Sequence, residues 1–157
     1  YPRATPDYED KTFDVETMVK CLEKRRDYWR KIAAEYGKPM MFGEFGCTSS
    51  RYGARSPAVS SRAGYDGEEQ ANFMEAFFRV FWNEKWCRGF YWWKWENHTP
   101  KRPDAKEFAE TAHTEAHAEV ASEKAAPKND PRMDHVIKGK PAQEVLRMWY
   151  RKPDPER

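Results

Sequence analysis

Leucine and isoleucine are nearly missing from this sequence, with two of each (Leu22, Leu146, Ile32, Ile137) in 157 residues. Seven Val and nine Phe bring the usual core formers to only 20. A share below about 20% marks a disordered chain when the net charge is also high. Net charge is scarce too: 28 Lys+Arg against 26 Asp+Glu leave +2. That near-balance argues against nucleic acid as the main partner, because phosphate binding needs a clear basic excess. Long apolar runs are absent. None approaches the roughly 18 residues of a membrane span, so no membrane partner is expected, and no basic-then-apolar leader follows Tyr1. Cysteine is limited to Cys21, Cys47 and Cys87. An odd number without CxxC spacing fits neither a disulfide framework nor a zinc site. Small buried or half-buried thiols are the expectation.

What the chain does have is aromatic. Phe, Trp and Tyr make up 15% of it, and seven residues are Trp. Either aromatics build the core, or much of the core lies in sequence outside this chain.

Periodicity places the elements. Residues 1–13 read as a loop. Asp14 is a plausible N-cap. Val15, Met18, Val19, Leu22, Trp29, Ile32, Ala33 and Tyr36 then recur at the spacing of one helical face. Gly37 and Pro39 end that helix. The run Pro39–Gly46 is short, apolar and bounded by Pro and Gly, which predicts a strand buried on both faces, as in a parallel sheet. Residues 48–67 are a Ser-, Arg- and Gly-rich loop, long enough to suggest function. A second helix is predicted from about Glu68 to Asn83 with a wide aromatic face. Gly89–Trp95 reads as a second strand. From Pro103 to Asp130 the chain is rich in Ala, Glu, Lys and His and has little to bury, which predicts a peripheral insertion. Residues 141–150 form a last helix with Pro141 near its start, and a polar tail follows. Alternating helices and strands argue for an α/β fold with parallel strands.

Glu44 is the most informative residue. It lies at the end of a strand that otherwise holds Met, Phe and Gly. A lone carboxylate there is costly unless paired, hydrogen-bonded or functional. Strict alternation puts Met40, Phe42 and Glu44 on one face. Active-site groups of parallel α/β folds cluster at the carboxyl ends of strands, and a long loop follows this one. The bland alternative is an edge strand whose Glu faces water or an Arg. The aromatic second strand shifts the weight. Tyr91, Trp93 and Trp95 share one face, Phe90 and Trp92 the other, so one set should face a site and the other the helices. Trp faces stack on the apolar face of sugar rings, while a carboxylate, Asn97 or His98 takes the hydroxyls. A sugar cleft is expected, with Glu44, Trp93, Trp95 and His98 as candidate residues. A metal reading of His113 and His117 with Glu110 and Glu115 is weaker, because the pattern is not HExxH and a solvated insertion explains it.

Four segments together resemble the C-terminal end of clan A glycoside hydrolases, most closely the family 113 type, whose members are mostly β-mannanases. They are KPMMFGEFGC (Lys38–Cys47), DGEEQANFMEAFFRVFW (Asp66–Trp82), GFYWWKW (Gly89–Trp95) and GKPAQEVLRMWY (Gly139–Tyr150). The resemblance covers roughly residues 1–98 and 137–150, and 99–136 look inserted. It implies an α/β fold that is the C-terminal part of a (β/α)8 TIM barrel, helix 6 through helix 8, incomplete as a barrel on its own. On that basis 1–98 run from the end of strand 6 to strand 8, 137–150 are the final barrel helix and 151–157 a tail. It further implies Glu44 as nucleophile of a retaining hydrolase, with a second Glu, at the end of strand four in the family, absent from this chain. Tyr1 would hydrogen-bond the nucleophile, and Trp93 or Trp95 would lie beneath the sugar. No cofactor and no metal are implied. The expected partners are a β-linked, mannan-like or glucan-like carbohydrate and the missing N-terminal barrel portion, joined to this chain or as a separate one. The alternative is a non-catalytic carbohydrate-binding or structural α/β fragment, in which Arg51, Arg55 and Arg62 of the long loop would form a contact surface.

Overall fold

The structure is a computed structural model and describes residues 12–55, 57, 64–95 and 132–153. Its elements, in chain order, are α1 (Val15–Tyr36), β1 (Met40–Phe45), α2 (Gly67–Phe81), β2 (Cys87–Trp92) and α3 (Pro141–Tyr150). Within the described residues no helix is long and apolar enough to cross a membrane.

Both ends of α1 follow from local chemistry. The Asp14 carboxylate accepts the Thr17 N–H at 2.7 Å, satisfying one of the orphan donors of the first turn. Phe13 and Met18 flank this cap and are both buried, the placement of a hydrophobic staple. At the other end Gly37 turns left-handed (φ 60°) and returns its N–H to the last turn. Met18, Leu22 and Ala33 are the buried residues of the predicted face. Tyr36, expected on it, is exposed in the last turn. The start of α3 is capped differently. The Lys140 side chain, at the N-cap, makes no cap bond, and Gln143 Oε1 instead accepts the Gly139 N–H at 2.7 Å.

β1 and β2 pair in parallel, as the alternation of elements predicts. β2 starts and ends earlier than the aromatic run implies, at Cys87 and Trp92. The register holds two compensating slips. Met40 pairs with Cys87, Phe42 with Phe90 and Phe45 with Trp92. An extra residue therefore enters β2 before Phe90, where Gly89 takes φ 122°, and an extra residue enters β1 between Phe42 and Phe45. Bulges of this kind re-aim side chains. The expectation that Met40, Phe42 and Glu44 share a face is corrected here. Phe42 and Phe45, three residues apart, both meet Phe77, at 5.3 and 3.9 Å between ring centroids. Gly43 and Glu44 between them are exposed. β1 is also not buried on both faces, since Met41 is 50% exposed.

Aromatics do build the core. Phe45 is fully buried, stacked on Phe73 at 4.9 Å and edge-on to Phe90 and Trp92. Phe78 stacks on Trp149 of α3 at 5.3 Å, and Phe81 meets Phe42 and Phe77. Such pairs add about 0.5–1.5 kcal/mol each beyond burial, which compensates for the shortage of branched aliphatics. Cys47 and Cys87 are buried and Cys21 is half-buried, and none of the three is in a disulfide. The Arg30–Glu84 pair (2.6 Å) ties α1 to the turn after α2 and the Arg79–Glu16 pair (2.6 Å) ties α2 to α1 at the surface, where such pairs contribute at most about 1 kcal/mol.

Candidate functional site

The sheet has one face on the helices and one open. Phe45 points to α2, so its neighbour Glu44 points the other way. Phe90 and Trp92 also face the helices, so Tyr91 and Trp93 share the open face with Glu44. Because Phe45 pairs with Trp92, Glu44 lies beside Tyr91 and one step before Trp93. The Trp93 N–H donates to the Phe45 carbonyl at 2.7 Å, fixing this end of the ladder. Tyr91 is 65% exposed and Trp95 63%. Lys94 between Trp93 and Trp95 turns left-handed (φ 58°), which carries Trp95 off the strand line. The structure thus brings Glu44, Tyr91 and Trp93 together. Tyr91 is the member that the candidate residues read from sequence leave out, although the alternation of β2 already puts it on the face of Trp93. Tyr1 and His98 lie outside the described residues, as do Arg62 and the acidic and histidine residues of 110–117.

Behind this face, at the carboxyl ends of the strands, is a buried polar junction. Gly46 (φ 146°) lets the chain pass against Trp92, where an added Cβ would sit 3.2 Å from the indole. Gln70 Nε2 donates to the Cys47 carbonyl at 2.9 Å. The Trp92 Nε1–H donates to the His135 carbonyl at 2.6 Å. Lys140 Nζ donates to Ser49 Oγ at 2.7 Å and to the Asp134 carboxylate, and Ser49 Oγ also meets the Arg132 and Asp134 carbonyls. Residues 132–136, at the end of the segment read as inserted, are therefore seated in the folded body. His135 Nε2 lies 2.9 Å from the Pro57 carbonyl. A carbonyl only accepts, so this nitrogen carries the proton, and burial pushes the imidazole below its usual pKa. Burial likewise pushes the Cys47 thiol well up. The junction uses these polar groups structurally. Among the described residues no cluster of three or more His, Cys, Asp or Glu could hold a metal ion.

Gly46→Ala is expected to destabilise the fold by about 1–3 kcal/mol, because it forces a Cβ into a strained φ region and against the indole. Urea unfolding measures the loss, and a changed near-ultraviolet dichroism reports the displaced Trp92. An unchanged midpoint would show that this passage tolerates a Cβ.

A cavity of about 370 Å³ opens on the helix side of the sheet, lined by residues that include Phe78, Phe81, Trp82, Phe90, Tyr150 and Lys152. It lies on the face opposite Glu44 and has no carboxylate in its lining, so it does not compete with the open face as a hydrolytic site.

Comparison with known proteins bears on the family and the fold. Residues 8–113 match Glycoside Hydrolase Family 113, a span that runs into the segment expected to be inserted. A GH113 β-mannanase from Alicyclobacillus acidocaldarius, solved in complex with ManMIm, shares the fold with TM-score 0.59 and 25% identity, over 84% of this chain and 35% of its own. Two structures of GH113 β-1,4-mannanases superpose with TM-scores 0.58 and 0.60 at 20% and 21% identity. They are matched over 92% and 86% of this chain and 38% and 36% of their own. No curated protein sequence matches significantly. The chain spans little more than a third of the length of these solved structures, and its α/β fold is similar to theirs. With a family match over more than half of its residues, the chain belongs to glycoside hydrolase family 113.

Proposed function

We propose that the chain supplies the seventh and eighth strands, with their helices, of a retaining hydrolase acting on β-linked mannan, and that Glu44 is its nucleophile. β1 would be strand seven, β2 strand eight, and α1, α2 and α3 the helices after strands six, seven and eight. The observation that carries this reading is the exposed Glu44 at the carboxyl end of a parallel strand, beside Tyr91 and Trp93 on the open face. Barrel enzymes place their catalytic groups at that end of the strands. The structural neighbours described as β-mannanases favour mannan over other β-glycans.

In the reaction, a Glu44 oxygen attacks the anomeric carbon and the glycosidic C–O bond breaks, giving a covalent glycosyl-enzyme. A second carboxyl group, about 5–5.5 Å away, gives its proton to the leaving oxygen. It then takes a proton from the water that hydrolyses the intermediate. No residue of this chain matches the family's acid/base position. Trp93 or Trp95 would form the platform under the sugar at the cleavage point, with Tyr1 and His98 as further contacts.

The test has two arms, the 157-residue chain alone and the chain joined to a polypeptide supplying the first six strands of a family 113 barrel. Hydrolysis of mannan and of aryl β-mannosides is expected only in the second arm. Ordinary turnover by the chain alone would refute the missing acid/base. A lack of turnover in the joined, folded protein, with sugar binding retained, would favour a non-catalytic carbohydrate-binding module.

A further inference from the structure

We propose that Glu69 is the positioning residue of the β1–α2 loop, its buried carboxyl group holding the turn at 51–55 onto the first turn of α2 at the end of the sheet where Glu44 and Trp93 emerge. The proposal goes beyond the hydrolase reading and stands whether or not Glu44 is a nucleophile.

The turn needs an outside anchor. Tyr52 takes a left-handed conformation (φ 67°), which residues with a Cβ rarely adopt. The Gly53 N–H closes onto the Ser50 carbonyl at 2.8 Å. A Cβ at Gly53 would fall 2.3 Å from the Thr48 carbonyl, so the chain is folded tightly back on itself. Glu69 lies beneath, 2% exposed. Its Oε2 accepts the Tyr52 N–H at 2.7 Å and its Oε1 the Ala54 N–H at 3.1 Å. An Asp-x-x-Glu pattern at a helix start normally has the Glu reach back to its own cap. Here Asp66 accepts the Glu69 N–H at 2.9 Å, but the Glu69 carboxyl reaches across to the loop. Two consecutive residues of α2 thus grip the loop at two points, Gln70 at its base through Cys47 and Glu69 at its tip.

Titration gives the anchor a signature. The charged or titratable groups around Glu69 are Asp66 on its own helix, Arg55 on the loop and Cys47 at the end of β1. Burial outweighs the two N–H donors and the Arg55 charge, and pushes the Glu69 carboxyl from 4.5 up to about 7. A proton is therefore held more tightly with the turn closed than with the turn open and hydrated. Closure is fully favoured below the ordinary carboxyl pKa, and opening grows as pH rises through the window between 4.5 and about 7. Above that window it levels off.

Amide hydrogen exchange of the 157-residue chain, followed by NMR and corrected for intrinsic rates, tests this. In the wild type the opening constant at Tyr52 and Ala54 is expected to rise by up to about tenfold per pH unit between pH 5 and 7, with the α2 amides of Phe77 and Phe78 flat. A flat profile at Tyr52 and Ala54 overturns the proposal without any variant. Glu69→Ala is expected to speed exchange at Tyr52 and Ala54 at least tenfold and to leave Phe77 and Phe78 within twofold. Glu69→Gln, which cannot ionise, is expected to abolish the pH dependence. Wild-type exchange in Glu69→Ala, pH dependence that survives in Glu69→Gln, or equal loss of protection throughout α2 would each overturn it.

Discussion

In the joined enzyme, Glu44→Gln is expected to lower kcat roughly 10⁴-fold or more, the scale seen when a covalent nucleophile is deleted, while mannooligosaccharide affinity stays within severalfold. The amide keeps the size and polarity of the carboxyl group but cannot form the glycosyl ester. The exposure of Glu44 explains why binding should survive. The side chain is exposed, so its replacement by an amide of the same size is expected to leave the Tyr91 and Trp93 surface intact. A fluorinated mannosyl donor that stalls at the covalent stage should label the wild-type protein on Glu44, as read by peptide mass spectrometry, and should not label Glu44→Gln. Label on another residue, or a kcat loss below tenfold, would remove Glu44 from the nucleophile role. If the open face only binds sugar, the substitution would change affinity alone.

Phe45→Ala, one residue along, is expected to destabilise the chain by about 3–5 kcal/mol, roughly 10 °C in Tm for a protein of this size. Phe45 is fully buried and its ring lies within 5.5 Å, centroid to centroid, of Phe73, Phe77, Phe90 and Trp92. Removing it takes one ring from four pairs at once and leaves a void between sheet and α2. Tyr91→Ala is the control. The residue is 65% exposed on the open face and should cost well under 1 kcal/mol, as surface substitutions usually do. Equal midpoints for the two variants in thermal or urea unfolding would contradict the two-faced sheet. The pair separates stability from site chemistry, because Phe45 and Tyr91 bracket the Glu44 position on opposite faces.

Much of the architecture is legible in the residue pattern because it depends on neighbours in sequence. The Asp14 cap, the Gly37 stop and the Pro141 start each act within one turn; α1 begins and ends, and α3 begins, where these residues put them. The parallel pairing follows from alternating helix and strand. The face of Glu44 was less legible. Strict alternation groups it with Phe42, whereas the slip between Phe42 and Phe45 separates the two. Gly43 and Gly89 mark both slips, but a glycine in a strand does not say which way the register moves. The junction of Cys47, Gln70, His135 and Lys140 joins chain segments up to 91 residues apart, beyond any local pattern. Glu69 had a signal in the Asp66–Glu69 spacing, though the spacing does not show that its carboxyl turns away from its own cap.

The two slips in the sheet also constrain how the gene can change. Their offsets cancel, so five steps along β1 still match five along β2, and the strands leave the ladder in phase. Between the slips the inside–outside alternation runs with inverted parity. A one-codon deletion at Gly43 would restore strict alternation, with Phe42 and Phe45 inward and Glu44 outward, but it would leave the extra residue of β2 at Gly89 uncompensated and shift the start of β1 by one residue against its partner. A one-codon insertion there would do comparable harm. Length changes in this strand should therefore be tolerated only as compensating pairs, one in each strand, and deep mutational scanning with single-codon deletions would show Gly43 and Gly89 intolerant singly and partly rescued together.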